Sequence, residues 1–221
     1  MSAANAVIIG TTVRQHRSLS GERRPPTPVA RIRARTPVPR RIPNEFYPTP
    51  PEAVRALLSV ETFDGPIWEP ACGEGAIAKE LTAAGYSVVS TDRYAYGFGQ
   101  AGIDFLAEQT PRARHIVTNP PYGRGLAAAF LLKALTLTRQ TGGKVALLLN
   151  LASLCHPRRT PLWRRMPPAR IYAIDGIVCW PEHRYGPAPE AFRQHRYCWA
   201  VWTPGHQGAP RFWWLSASAF R

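Results

Sequence analysis

The chain has 221 residues, 45% of them hydrophobic, enough for one domain with a real core plus a tail. Its 28 Lys and Arg against 14 Asp and Glu give a net charge of +14, which favours a polyanionic partner such as nucleic acid. No run of about 18 apolar residues is present, so no membrane span is expected. The first residues lack the apolar stretch of a secretory signal. The four cysteines (Cys72, Cys155, Cys179, Cys198) have no CxxC spacing and no metal-ligand pattern with the six His. Reduced, buried thiols in a cytoplasmic protein are expected, and no metal site.

In chain order, residues 1–43 come first, with nine Arg, no Lys, a single acid (Glu22) and six Pro, a net +8 without apolar periodicity. Such a stretch cannot bury enough surface to offset the entropy of ordering, so it reads as a disordered basic arm. A solvated tail or a targeting segment is the alternative. Residues 44–221 read as one folded domain. PPEAVRALLSV predicts a helix opened by Pro, with Val54, Leu57 and Leu58 on one face. GPIWEP predicts a short buried strand, GAIAKELTAAG a helix ended by Gly85, and YSVVSTD a strand closing on an acid. RHIVTNPP is a third strand, LAAAFLLKALTLTRQTGG a long helix, and KVALLLNLA a central strand apolar on both faces. This alternation predicts a doubly wound, mostly parallel α/β sheet. ARIYAIDGIVCW, HRYCWAVWTPG and RFWWLSA then read as strands with no obvious helix between the first two. They are expected to close the sheet antiparallel, with the last at an edge.

Four places carry chemistry. In WEPACGEG, Gly73 and Gly75 permit a tight turn and close ligand approach, and the helix beyond offers free N–H groups. Glu69, at the strand tip beside Ala71, can hold an ammonium. Asp92 ends the next strand, where an acid can accept both hydroxyls of a ribose or simply cap a turn. Asp104-Phe105 reads as the end of a further short strand, an acceptor for an amino group beside an apolar ring, or else a solvated loop acid. In Thr118-Asn119-Pro120-Pro121-Tyr122-Gly123 the prolines fix the backbone so that the Asn119 oxygen and the Pro120 carbonyl can converge on an amine. Tyr122 can stack on a flat substrate. Two acceptors on one amine draw its hydrogens out of plane and free its lone pair.

From about residue 44 to 215 the chain resembles class I S-adenosylmethionine-dependent amino-methyltransferases, and Asn-Pro-Pro-Tyr after a buried strand is the most specific element. The resemblance implies a seven-stranded Rossmann-like methyltransferase sheet. Phe46-Tyr47-Pro48-Thr49-Pro50 is similar to the segment that covers the methionine end of the cofactor in small DNA adenine methyltransferases. Glu69 then falls at the methionine ammonium, Asp92 at the ribose, and Asp104-Phe105 at the cofactor adenine. The C-terminal stretch is similar to compact phage and prophage enzymes, which places the protein in a bacterial or phage-infected cell. The cofactor loop precedes Asn-Pro-Pro-Tyr, as in the gamma arrangement, but no separate base-recognition domain follows. A partner supplying sequence recognition is therefore implied. The implied reaction is methyl transfer to N6 of a DNA adenine flipped out of the duplex. An RNA adenine, a protein glutamine, or an idle nucleic-acid-binding module are the alternatives. Beyond the central strand, Arg158, Arg159, Arg164 and Arg165 can meet phosphates, and Trp163 can stack on an extruded base or anchor its loop. His183-Arg184-Tyr185 reads as an ordinary polar loop.

Overall fold

The computed structural model describes residues 41–221; the arm up to Arg40 lies outside them. Packing starts at Ile42, two positions before the expected boundary, where the side chain is buried with Phe46, Trp180 and Ala188. Seven strands form one sheet: β1 (Ile67–Glu69), β2 (Val88–Ser90), β3 (His115–Thr118), β4 (Val145–Asn150), β5 (Arg170–Asp175), β6 (Tyr197–Trp202) and β7 (Arg211–Ser216). Their order is β2-β1-β3-β4-β6-β5-β7. β6 pairs antiparallel with both β4 and β5, while all other pairings are parallel.

Helices α1 (Pro51–Leu58) and α2 (Ala76–Ala83) cover one face, and α3 (Leu126–Thr141) with the short α4 (Thr160–Arg165) covers the other. β4 shows why its sequence is apolar throughout. Ala146 and Leu148 join the α1–α2 core, whereas Val145, Leu147 and Leu149 join the α3–α4 core. Side chains alternate between faces, and both faces are covered. α3 stops at Gly142, whose φ of 64° is the left-handed conformation a helix end favours.

Three expectations change. The antiparallel element is a single interior strand, β6, rather than a closing set; all six of its residues are buried, which an interior position provides. β7 is the edge strand but runs parallel to β5, with Phe212, Trp213 and Trp214 exposed. Asp104-Phe105 ends no strand: Asp104 accepts the Leu106 N–H at 3.0 Å and caps a one-turn helix at Phe105–Ala107. Two further one-turn helices, α5 (Glu182–Tyr185) and α6 (Glu190–Arg193), join β5 to β6, too short to show a helical period. Cys72, Cys179 and Cys198 are buried as expected, but Cys155 is exposed. No helix among the described residues is long and apolar enough to cross a membrane.

Candidate active site

The connections leave β1 toward β2 on one side and reach β3 on the other. A crevice therefore opens beyond the carboxyl ends of these strands, where open α/β sheets bind ligands. A cleft of about 480 Å³ lies there, lined by Tyr47, Pro48, Thr49, Glu69, Ala71, Gly73, Asp92, Asp104, Phe105 and Asn119. Glu69 is 1% exposed, and its Oε2 accepts the Ala78 N–H from the first turn of α2 at 2.8 Å. Burial holds its carboxyl well above the usual carboxylate range against that hydrogen bond, and the nearby Asp92 raises it further. Asp92 accepts the Gly73 N–H through Oδ2 and the Tyr94 N–H through Oδ1, each at 2.8 Å. Burial outweighs these bonds and raises its carboxyl too. Asp92 thus shapes the glycine loop as well as facing the cleft. Gly75, by contrast, does not line it: at φ 82° it opens α2, and a Cβ there would strike the Phe98 ring at 2.5 Å.

Asn119 sits at the far wall. Its Nδ2 donates to the Tyr47 carbonyl at 2.9 Å and to Thr49 Oγ1 at 3.1 Å, tying the end of β3 to the segment before α1. Because the Tyr47 carbonyl only accepts, this fixes the amide's orientation. Its Oδ1 accepts from the Tyr122 hydroxyl, which also faces the Leu148 carbonyl. Burial holds the Tyr122 proton well above the usual phenol range, so this hydroxyl is a donor and not a base. The Tyr122 ring lines a second cleft of about 520 Å³, with Asn150, Ser153, His156, Arg159, Phe192, His195 and Tyr197. Arg41, Glu45 and Tyr47 line both clefts and form their common wall. Ser153 Oγ is buried without a hydrogen-bond partner among the described residues. Pro120 is buried and lines neither cleft, whereas Pro121 lines the first.

No protein-family model matches the chain, and no curated protein matches it. Solved structures do. The M protein of the type I restriction enzyme EcoKI superposes with a TM-score of 0.51 at 13% identity, over 74% of this chain and 45% of that one. A Listeria monocytogenes protein described as a class I S-adenosylmethionine-dependent methyltransferase gives 0.50 at 12% identity, over 75% and 62%. The fold is that of a methyltransferase. The chain spans about half of the EcoKI protein's length and under two thirds of the Listeria protein's.

On this methyltransferase fold the basic segment after β4 divides. Arg159 lines the second cleft, while Arg164 and Arg165 flank a separate shallow depression with Cys155, Pro157, Thr160 and Pro161. Arg158 is exposed and lines neither cleft. Trp163 is no stacking platform: it is 8% exposed, donates its indole N–H to the Ser153 carbonyl at 3.0 Å and packs against Trp202. It anchors its loop in the core. His183 and Arg184 both pair with Glu74, and the Arg184 guanidinium lies 4.4 Å from the Phe46 ring centroid. Phe46 stacks on Tyr96 and closes on Gly73, so α5 straps the rim of the first cleft. Sequence reasoning missed Tyr94, Tyr96 and Glu45. An aromatic, glycine-spaced RYAYGFG directly after Asp92 was the available signal for the tyrosines.

Proposed function

We propose that the chain binds S-adenosylmethionine in the first cleft and transfers its methyl group to an exocyclic amine held in the second, N6 of adenine in DNA being the acceptor. The observation that carries this reading is the first cleft itself, which runs from two buried carboxylates, Glu69 and Asp92, to Asn119, whose Oδ1 accepts from the hydroxyl of Tyr122 in the lining of a second, aromatic-lined cleft. The donor set fits the cofactor. Two buried acids with raised carboxyls and no cationic side chain bonded to them among the described residues are open to an ammonium at Glu69 and to hydroxyl donors at Asp92. Glu69 would meet the ammonium through the oxygen that Ala78 leaves free, and Asp92 the ribose hydroxyls. Asp104, already a cap, would reach the adenine amino group with its remaining acceptor capacity.

When bound, the cofactor supplies an electrophilic methyl group on a sulfonium. The residues of this chain do the positioning, which is where most of the rate enhancement is expected to come from. Tyr122 offers a ring face to a planar base. Its hydroxyl and Asn119 brace each other, so the loop holds its shape as a base enters. The orphan Ser153 Oγ can donate to, or accept from, a ring edge. The excess of Arg suits a nucleic acid; Arg159 sits at the second cleft, and the residue 1–40 arm would add phosphate contacts carrying no sequence information. The EcoKI M protein belongs to a DNA restriction system, which supports DNA over the other acceptors. A recognition subunit or second protein would supply the target sequence. Calorimetry with S-adenosylhomocysteine tests the cofactor reading, and absence of binding defeats it. Product analysis after incubation with DNA, RNA or protein tests the acceptor: N6-methyladenine in DNA is expected, and methylglutamine alone would reassign it.

A further inference from the structure

Within the wall shared by the two clefts stands Glu45, and its backbone is unusual. Asn44 and Glu45 both have φ of 57°. Asn tolerates the left-handed region; Glu does not, and such a residue persists only where its surroundings impose it, commonly at functional sites. The side chain is 15% exposed and its Oε1 lies 3.1 Å from Arg41 Nη1. An ion pair to a guanidinium that is itself 61% exposed contributes little, and does not account for the strain. What the conformation achieves is placement. The Arg41–Glu45 pair is held against Gly123, so closely that a Cβ there would come within 2.6 Å of Arg41 Nη1 and 2.9 Å of Glu45 Oε1. Gly123 follows Tyr122 of the second cleft, and Glu45 itself, with Arg41 and Tyr47, lines both clefts where they meet. Among the residues lining the second cleft, Glu45 is the one carboxylate, set among Arg41, Arg159, His156 and His195. Meanwhile the Asn119 oxygen already accepts from Tyr122, so it faces the acceptor with reduced capacity.

We propose that Glu45 is a catalytic residue of the methyl transfer, the carboxylate that accepts an N–H of the acceptor amine at the junction of the clefts. This rests on the methyltransferase reading above. Holding one N–H leaves the nitrogen lone pair directed at the methyl donor. The lone pair forms the new N–CH3 bond as the S–CH3 bond breaks, and that bond's electrons remain on sulfur. The proton the nitrogen then sheds passes to the Glu45 carboxylate and on to solvent. Gly123 belongs to the arrangement, since any side chain there would crowd both the Arg41 guanidinium and the carboxylate it pairs with.

The test compares wild type with Glu45→Gln, Glu45→Gly and Arg41→Gln. Single-turnover transfer from methyl-labelled S-adenosylmethionine to unmethylated duplex DNA should fall roughly 10- to 100-fold in Glu45→Gln, the scale of one charge-assisted hydrogen bond. S-adenosylhomocysteine affinity should stay within about twofold of wild type. Arg41→Gln removes the ion pair and alters the shared wall but keeps the carboxylate, so its loss of rate should be clearly smaller than that of Glu45→Gln; equal losses in both variants would reduce Glu45 to an ion-pair partner. Glu45→Gly should lose the rate yet melt at the same temperature as wild type or about 2–4 °C higher, because glycine relieves the strain. A Glu45→Gly protein that melts well below wild type overturns the strain argument. Wild-type transfer that Glu45→Gln matches overturns the proposal. A wild type that binds no S-adenosylhomocysteine, or methylates nothing, instead overturns the methyltransferase reading beneath it.

Discussion

Glu69→Gln separates what the first cleft does for the fold from what it does for a ligand. The side chain is 1% exposed, and burial raises its carboxyl well above the usual range. The folded protein therefore keeps this proton to higher pH than the unfolded chain does. Stability tied to Glu69 is complete below the ordinary carboxylate range and is lost as pH rises toward the raised folded value. Gln keeps an oxygen for the Ala78 N–H and carries no charge. The variant should thus lose less melting temperature than wild type between about pH 5 and about pH 8. Binding should respond in the opposite sense. A cofactor ammonium draws the carboxylate into its charged form, so wild-type affinity should rise with pH and binding should release a proton. Removing that charge costs about 1.5–3 kcal/mol, or roughly 10- to 150-fold in Kd for S-adenosylhomocysteine. Differential scanning fluorimetry across pH and calorimetry in two buffers of different ionisation enthalpy read both effects. A variant with unchanged affinity, or one that loses more stability with pH than wild type, would refute the reasoning.

Asn119→Ala should lower methyl transfer by about 100-fold or more while leaving S-adenosylhomocysteine affinity within a few fold; comparable losses in both would mean that its bonds to Tyr47 and Thr49 only shape the cofactor cleft. Trp163→Ala should cost about 3–5 kcal/mol in a denaturant titration, as a core anchor does, and a stable variant that had lost only DNA affinity would restore the stacking role. A shortened chain starting at Arg41, which retains the buried Ile42, should show a flatter dependence of DNA affinity on salt, by roughly 0.9 units of slope for each phosphate that the arm neutralises. Equal slopes would remove the arm from the DNA.

The parallel half of the sheet and its helices were legible because burial wrote itself into the pattern. KVALLLN is apolar at every position from Val145 to Leu149 since β4 is covered on both faces, and Gly142 marks the end of α3 by its left-handed φ. The position of β6 was legible in principle: YCWAVW is as continuously apolar as β4, the mark of an interior strand. It was overlooked because strand order depends on long connections and not on local pattern. β7 was read correctly as the edge strand, with Phe212-Trp213-Trp214 exposed there, but its parallel direction was not legible, because direction depends on how the chain crosses over and not on local pattern. At the site, Glu69, Asp92 and Asn119 stood out because strand ends fix where their side chains emerge. Glu45 did not. Its role arises from two left-handed residues and from its approach to Gly123, far along the chain, and neither is encoded in spacing. The same holds for α5, whose Arg184 meets Glu74 and Phe46 only through the tertiary fold.

The central claim is methyl transfer to an exocyclic amine of DNA. Its most direct test is incubation of the full chain with methyl-labelled S-adenosylmethionine and unmethylated DNA, followed by digestion to nucleosides and mass spectrometry. The account predicts label in N6-methyladenosine of the deoxy series, cut by about 100-fold or more in Asn119→Ala. Label confined to another nucleoside or to protein, or none at all from a wild type that binds S-adenosylhomocysteine, would contradict it.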